Sequence, residues 1–355
     1  MSAKQRIKLA LLWLMRSVGL FALARWKTRH GFAVLGWHGV SLLDEHTVLD
    51  AYFVSPEVLR RRLTFLSRHF RIVPLAELID QQARGQIEPR QVALTFDDAM
   101  YNFGGAAVPV LREFDAAATV YVISSTLERP SRADMLLLQY VVVASPLGQT
   151  PDNTPGVETP LPMTSLAERH DVLRKLRAVA AEMTERGEPI GEFVEQMAEL
   201  FGVDLAEQLE RRVWDYLTAD EVCELAAAGY DMQLHSHRHQ YATENLEDLA
   251  EDTRICRQAI EAVTQREAVH YCYPAGRWNR RAREILAEVG MRSGVTCGPG
   301  QNDVATNPLS LKRHVTGNNF TQLEFEYAVS GVQALIHWFT RPAYRHEPPE
   351  ISGAF

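Results

Sequence analysis

Two stretches of the sequence bring together residue types that can do chemistry. The first is Thr95-Phe96-Asp97-Asp98, which closes the apolar run Val92–Phe96. Such a run reads as a buried strand, and in α/β folds ligands bind and catalytic groups project at the carboxyl ends of strands. Of two adjacent carboxylates there, one can ligate a metal while the other takes up a proton. A solvated turn or a helix N-cap is the other reading of the pair. The second stretch is Leu234-His235-Ser236-His237-Arg238-His239, directly after the strand-like run Tyr230–Leu234. Three of the twelve histidines fall within five positions, where composition alone would put about 0.2. Neutral imidazole is a common ligand for zinc and related divalent ions. A four-residue separation lets His235 and His239 converge on one ion if the backbone coils after His235. The competing reading is a polar loop with surface or core histidines. Two imidazoles and one carboxylate leave positions for water and substrate, the open arrangement of a hydrolytic metal, which lowers the pKa of bound water toward ~7. A structural site is disfavoured, because closed sites use four ligands and only three are apparent.

The elements that must hold these groups alternate between strand and helix. Strands are expected at Val34–Trp37, Val92–Phe96, Thr119–Ile123, Tyr230–Leu234, Val269–Tyr273, Met291–Thr296 and Leu309–Val315. Helices are expected from Pro56, with Ser55 as N-cap, to about His69, and over about 108–114, 220–228, 247–263 and 280–289. Gly229 and Gly290 serve as stops. Strands alternating with helices imply a mostly parallel sheet with helical crossovers, either a barrel or a doubly wound fold. Residues 127–214 break the rhythm with a turn-rich segment and then a charged helical stretch from about Ser165 to Arg212. They read as an insertion placed like a lid over the strand ends, the alternative being a small helical domain with its own core.

Composition sets the bounds. The chain has 355 residues, 46% hydrophobic and 23% charged, with a formal net charge of −8. These values exclude disordered, collagen-like and coiled-coil classes and argue against a nucleic-acid partner. Four scattered cysteines, Cys223, Cys256, Cys272 and Cys297, neither build a disulfide scaffold nor form a CxxC pair. Residues 1–29 form a separate unit in which Lys4, Arg6 and Lys8 precede apolar runs split by Arg16 and closed by Arg25, Lys27 and Arg29. Basic residues flanking a Leu/Trp/Phe-rich amphipathic helix suit peripheral contact with an anionic membrane surface. A helix packed on the protein's own body and an export or anchor signal are the alternatives. Residues 30–335 are expected to form the main domain, with 127–214 inserted, and 336–355 a C-terminal tail.

Four segments together resemble the polysaccharide deacetylases, the NodB-homology carbohydrate esterases. Residues 92–123 look like that family's first motif, a TFDD strand end followed by a helix and a second strand. Residues 217–239 resemble its second motif through His235, Ser236 and His239. Tyr271-Cys272-Tyr273-Pro274-Ala275-Gly276 resembles the third, and Leu35-Gly36-Trp37-His38-Gly39-Val40 is similar to the opening strand of many members. The similarity covers about residues 33–330, the insertion excepted. It implies an irregular (β/α)7-type barrel and a metal-dependent hydrolase that removes N-acetyl groups from amino sugars of a polysaccharide, such as a bacterial exopolysaccharide, an oligosaccharide or a lipid-linked glycan. Hydrolysis of another amide, such as a formamido sugar, and a non-catalytic glycan-binding protein are the alternatives.

The resemblance implies Asp98, His235 and His239 as ligands of Zn2+ or another divalent transition metal, and Asp97 as the general base. It implies a backbone N–H near Ala275 for the oxyanion and His314 as the general acid, with a strand histidine beside a working Arg313 as the alternative. His38, His237, Tyr273, Ala275 and Arg277 are expected to support these groups or to touch substrate. Three departures stand out. Ala99 replaces the usual glycine after the aspartates, so a positive φ there is strained. Cys272 occupies the place of the arginine that orients the base, with Arg277 or Arg238 as substitutes, and Ala275 occupies that of a tyrosine. The expected compartment is cytoplasmic, peripheral at the inner membrane surface, with periplasmic export as the alternative.

Overall fold

The computed structural model describes residues 3–340 and 347–351. Among these residues ten strands are formed: β1 Phe32–Trp37, β2 Gly39–Val40, β3 Phe53–Val54, β4 Arg71–Ile72, β5 Gln91–Phe96, β6 Thr119–Val122, β7 Asp231–Leu234, β8 His270–Cys272, β9 Ser293–Val295 and β10 His314–Val315. The helices are α1 Ala3–Ser17, α2 Leu20–Lys27, α3 Glu45–Val48, α4 Pro56–His69, α5 Leu75–Ala83, α6 Val108–Arg112, α7 Asp134–Ala144, α8 Leu166–Glu185, α9 Ile190–Leu200, α10 Ala206–Glu210, α11 Ala219–Ala227, α12 Leu249–Thr264, α13 Arg280–Glu288, α14 Gln322–Val329 and α15 Val332–Thr340.

The main sheet is parallel, in the order β10-β1-β5-β6-β7-β8-β9, with β4 added beside β5. Leu311 carries the β9 edge back toward β10: its N–H donates to the Gly294 carbonyl at 2.8 Å and its own carbonyl accepts from Thr296 at 3.0 Å. The sheet therefore curls into the irregular seven-stranded barrel that the motifs imply. Alternate residues face opposite ways. Val34, Ala93, Tyr121, Cys272, Val295 and Leu311 form the small interior cluster. Leu35, Leu94, Val120 and Leu234 face the helices. Helix α4 shows how a crossover is fixed. Ser55 caps it through the Val58 N–H, Pro56 starts it, and Leu59, Leu63 and Leu66 bury one stripe, each stabilising by about 1.5–3 kcal/mol.

Residues 127–214 are largely helical, as expected, and carry their own apolar cluster built from Leu137, Leu138, Val141, Leu176, Val194 and Trp214. That cluster also takes in Leu49, Phe53 and Met100 from the barrel's loops. The chain returns beside the Asp97–Tyr101 turn, where Leu217 N–H donates to Ala99 and Tyr101 N–H to Asp215. Helix α7 has no counterpart in the sequence reading, because an apolar run buried on most sides shows no polar stripe.

Three expectations are corrected. The single N-terminal helix is two, broken at Gly19 (φ 79°) and bent by 69°. The expected strand Leu309–Val315 is mostly a turn and a bridge, leaving only His314–Val315 as strand. The tail boundary at residue 335 falls inside α15, and Ile351 pairs with Trp278.

Candidate active site

The site forms where β5, β7 and β8 end. Strand β5 is buried throughout, and beyond it the chain turns sharply, with Asp98 at φ 70° and Ala99 at φ 54°. The strand thus does not continue past Asp97. Asp97 points into the barrel (3% exposed), while Asp98 stands at its rim. Ala99 adopts the left-handed conformation in which glycine would be unstrained. Among the described residues, five of the nine non-glycine residues with positive φ, Asp98, Ala99, Ser236, His239 and Ala275, lie in the three motif loops. Backbone strain is concentrated at this one place.

His235 extends the β7 ladder through its N–H to the Val122 carbonyl, and the chain then coils through Ser236 (φ 68°) to His239 (φ 54°). Asp252, on α12, fixes the coil by accepting from the His237 and Arg238 N–H groups at 2.8 and 3.3 Å. The two imidazoles converge, with ring centroids 4.9 Å apart. His235 Nε2 lies 3.2 Å and His239 Nε2 3.6 Å from Asp98 Oδ1. His235 Nδ1 lies 2.9 Å from the Cys272 carbonyl, which can only accept, so Nδ1 carries the hydrogen and Nε2 presents its lone pair to Asp98. Asp98 Oδ1 is buried without a donor. Two oxygen and nitrogen lone pairs facing each other at that distance call for a positive charge between them, either a proton on Nε2 or a metal ion.

The same demand appears in the titration directions. Burial works against the charge on His235, but hydrogen bonding to the Asp98 carboxylate and to the Cys272 carbonyl, with the nearby Asp97 charge, more than offsets it and holds the imidazolium well above its usual range. Burial likewise disfavours ionised Asp98, yet His235 and His239 keep its carboxyl well below the ordinary value. Asp98, His235 and His239 fit a divalent ion: oxygen and nitrogen donors aimed at one point, with one imidazole oriented by a backbone carbonyl. A second convergent trio, Asp97, His235 and Cys272, does not fit. Both Asp97 oxygens are engaged by Arg313, whose guanidinium also lies 3.2 Å from Cys272 Sγ. Burial pushes that thiol up to about 11, so it stays protonated.

Arg313 is the residue that sequence reasoning left in the background. It enters from just before β10 and is fully buried, spanning the barrel to Asp97 at 2.6 and 2.8 Å, to Thr95 Oγ1 at 3.2 Å and to the Thr296 carbonyl at 3.1 Å. Gly36 makes room for it, since a Cβ there would stand 3.2 Å from the guanidinium. Burial opposes charge on Asp97, but the arginine outweighs it and holds the carboxyl below its usual value. Neither suggested substitute for the motif arginine reaches Asp97. Arg277 pairs with Glu244 and stacks 3.8 Å from the Tyr241 ring. Arg238 is exposed, its N–H tied to Asp252.

His314 requires correction. It pairs with Leu35 on the helix-facing side of the sheet, one residue out of phase with Arg313, and its buried ring bonds to the Gly300 backbone. It does not reach Asp97 or Asp98. Tyr273 is corrected too: its hydroxyl donates to the Leu309 carbonyl and its ring packs against Tyr271 inside the core. His237 turns away from Asp98, His235 and His239 toward Ser124 Oγ, at 3.0 Å. His38, by contrast, is at the centre. Its Nε2 lies 3.8 Å from Asp97 Oδ2, its ring is a quarter exposed, and Tyr52 meets it edge-on. Ala275 sits exposed in the Pro274–Gly276 turn beyond β8, at φ 53°.

A family model described as polysaccharide deacetylase matches residues 84–294. The match contains the Asp97, His235 and Cys272 strand ends but neither His38 nor Arg313. None of the curated proteins matches the sequence. Among solved structures, the chain resembles the Streptococcus pyogenes deacetylase PplD in complex with acetate, at 17% identity and TM-score 0.56, covering 85% of this chain and 99% of that one. It also resembles IcaB from Ammonifex degensii, at 16% identity and TM-score 0.52, with 86% and 98% covered. A de-N-acetylase from Aggregatibacter actinomycetemcomitans follows at 14% and 0.52, with 84% and 99% covered. At these identities the likeness establishes the barrel.

Proposed function

The chain belongs to the polysaccharide deacetylase family, and from that premise we propose that it hydrolyses the N-acetyl groups of amino sugars in a glycan, with a divalent metal ion held by Asp98, His235 and His239. The observation that carries this reading is the approach of two imidazole nitrogens to the donor-free Oδ1 of Asp98, directly beside the clamped carboxylate of Asp97. The ion, when bound, supplies Lewis acidity toward an amide carbonyl and lowers the pKa of water.

The chain's own residues do the rest. Asp97, kept anionic and aligned by the two-pronged contact with Arg313, accepts a proton from the attacking water. His38 Nε2, on the partly open side of Asp97, delivers a proton to the departing sugar amine and takes the role expected of His314. In the turn after β8 the N–H groups of Gly276 and Arg277 are bonded to Tyr273 and Pro274. That leaves the Ala275 N–H, without a backbone acceptor among the described residues, to meet the developing oxyanion. Tyr216, two residues beyond the insertion, bridges to Met100 beside the Asp97–Asp98 turn, so the chain leaving the insertion runs next to the catalytic loop.

The test is acetate release from N-acetylglucosamine oligomers, with and without a chelator, and with Asp98→Ala. Loss of release under both treatments supports the reading. Release that survives both refutes it, and formate release from a formamido sugar in place of acetate redirects it to that amide.

A further inference from the structure

Helix α1 carries two apolar faces. The inner one is satisfied: Leu12 is buried with Phe21, Ala24 and Val332, and the helix is tied to α14 by Lys8–Glu324 at 2.6 Å and Arg16–Glu326 at 2.9 Å. The outer one is not. Ile7, Leu11, Leu14 and Val18 are spaced i, i+4, i+7 and i+11, one helical stripe, and are 71%, 56%, 53% and 69% exposed. On α2, Leu23 and Trp26 continue the exposed apolar surface. Packing against the body accounts for the inner face and leaves the outer one unexplained.

Charge identifies what covers it. The first 30 residues carry seven Lys or Arg and no Asp or Glu, +7 against −15 for the rest of a chain whose total is −8. Lys27 and Arg29 sit 5.1 and 5.0 Å from the Trp26 ring, placing cations at the edge of the apolar surface.

We propose that α1 and α2 form a docking surface for an anionic phospholipid bilayer, the outer stripe entering the headgroup–acyl boundary while Lys27 and Arg29 at the edge of the apolar surface meet lipid phosphates. An exposed apolar stripe with Trp residues and flanking cations is the pattern of helices that lie in the interface plane. No single helix among the described residues is long and apolar enough to cross a membrane, and the α1–α2 pair is bent by 69°. The inner face is anchored to α14 by ion pairs, which holds α1 against the protein. This inference does not depend on the catalytic reading.

The full chain is sedimented with vesicles of phosphatidylcholine alone and of phosphatidylcholine mixed with phosphatidylglycerol. The expected result is binding to the mixed vesicles only, weakened by salt. Leu11→Asp with Leu14→Asp, and separately Lys27→Glu with Arg29→Glu, should each reduce binding by about tenfold or more, while circular dichroism melting stays at the wild-type midpoint. The proposal is overturned by failure to bind either vesicle, or by undiminished binding of the stripe variant. It is equally overturned by association that resists carbonate extraction, which indicates a spanning segment. A dimer that Leu11→Asp with Leu14→Asp dissociates also overturns it, since a second copy then covers the stripe. Vesicle binding is read without any substrate, so its failure is separate from a failure of hydrolysis.

Discussion

Arg313 and Asp97, 216 positions apart, share a two-pronged ion pair inside the barrel, 2.6 and 2.8 Å long and closed to solvent on both sides. Removing one partner strands a buried charge, so Arg313→Met should lower the unfolding free energy by about 3–5 kcal/mol. Arg313→Lys should lose less stability yet still misalign the base, because a single ammonium does not bridge both oxygens. The arginine depresses the Asp97 carboxyl. The stabilisation this brings is therefore complete above the ordinary carboxylate value of ~3.9 and lost as pH falls through the lower folded value. Without Arg313 the carboxyl rises, and the acid limb of the kcat/KM profile should move to higher pH in Arg313→Met. A limb that stays put in that variant, or an undiminished kcat in Arg313→Lys, would falsify the assigned role.

The Asp98–His235–His239 trio predicts linkage between zinc and stability. A ligand bound only by the folded state raises the unfolding free energy by about 2.7 kcal/mol at 100 times its dissociation constant. Adding zinc to the chelator-treated protein should raise its thermal midpoint, and Asp98→Asn should abolish that rise. An equal rise in the variant places the ion elsewhere.

His38 as proton donor gives a signature separate from metal binding. His38→Gln should lower kcat by about 10²- to 10⁴-fold with zinc content unchanged. The loss should shrink on an anilide substrate, whose amine leaves with less help. An equal loss on both substrates removes His38 from that role.

His314 predicts the opposite pattern. Burial pushes its imidazole down to about 4, against an ordinary value of 6.5. Between those values the unfolded chain binds the proton and the folded one does not, so the folded state loses stability as pH falls from 6.5 to 4. The full effect is about 3 kcal/mol. His314→Leu should flatten this part of the stability curve, measured by urea unfolding at several pH values, and leave hydrolysis nearly intact. A collapse of kcat in a folded His314→Leu protein would return the residue to the reaction.

The division between sequence and structure follows from distance along the chain. Asp97 and Asp98 share one strand end, and His235 and His239 share one loop, so residue type and spacing were enough to read them as groups able to meet. The parallel sheet was equally legible, from apolar runs alternating with amphipathic helices. The replacement of a usual glycine by Ala99 was visible as a place where positive φ would be strained, but that the turn adopts φ 54° there is a finding of the structure. The second apolar stripe of α1 is also written in its i, i+4, i+7 spacing, but which stripe the body covers emerges only when α14 and α15 pack against it.

Three matters lay beyond local pattern. The partner of Asp97 comes from the residue just before β10, a strand that the barrel's curl brings back beside β1. The place of the motif arginine, filled by Cys272, is supplied across that gap by Arg313. The choice between Arg313 and His314 is one of register. Adjacent strand residues face opposite sides, so a pairing of Leu35 with His314 sends the histidine to the helices and the arginine to the carboxylate. His38 acquires its position the same way, because β1 runs alongside β5 with Trp37 opposite Phe96, setting the residues that follow each strand side by side. Spacing along the chain fixed which groups are neighbours within a motif; only closure of the sheet decided which motifs meet.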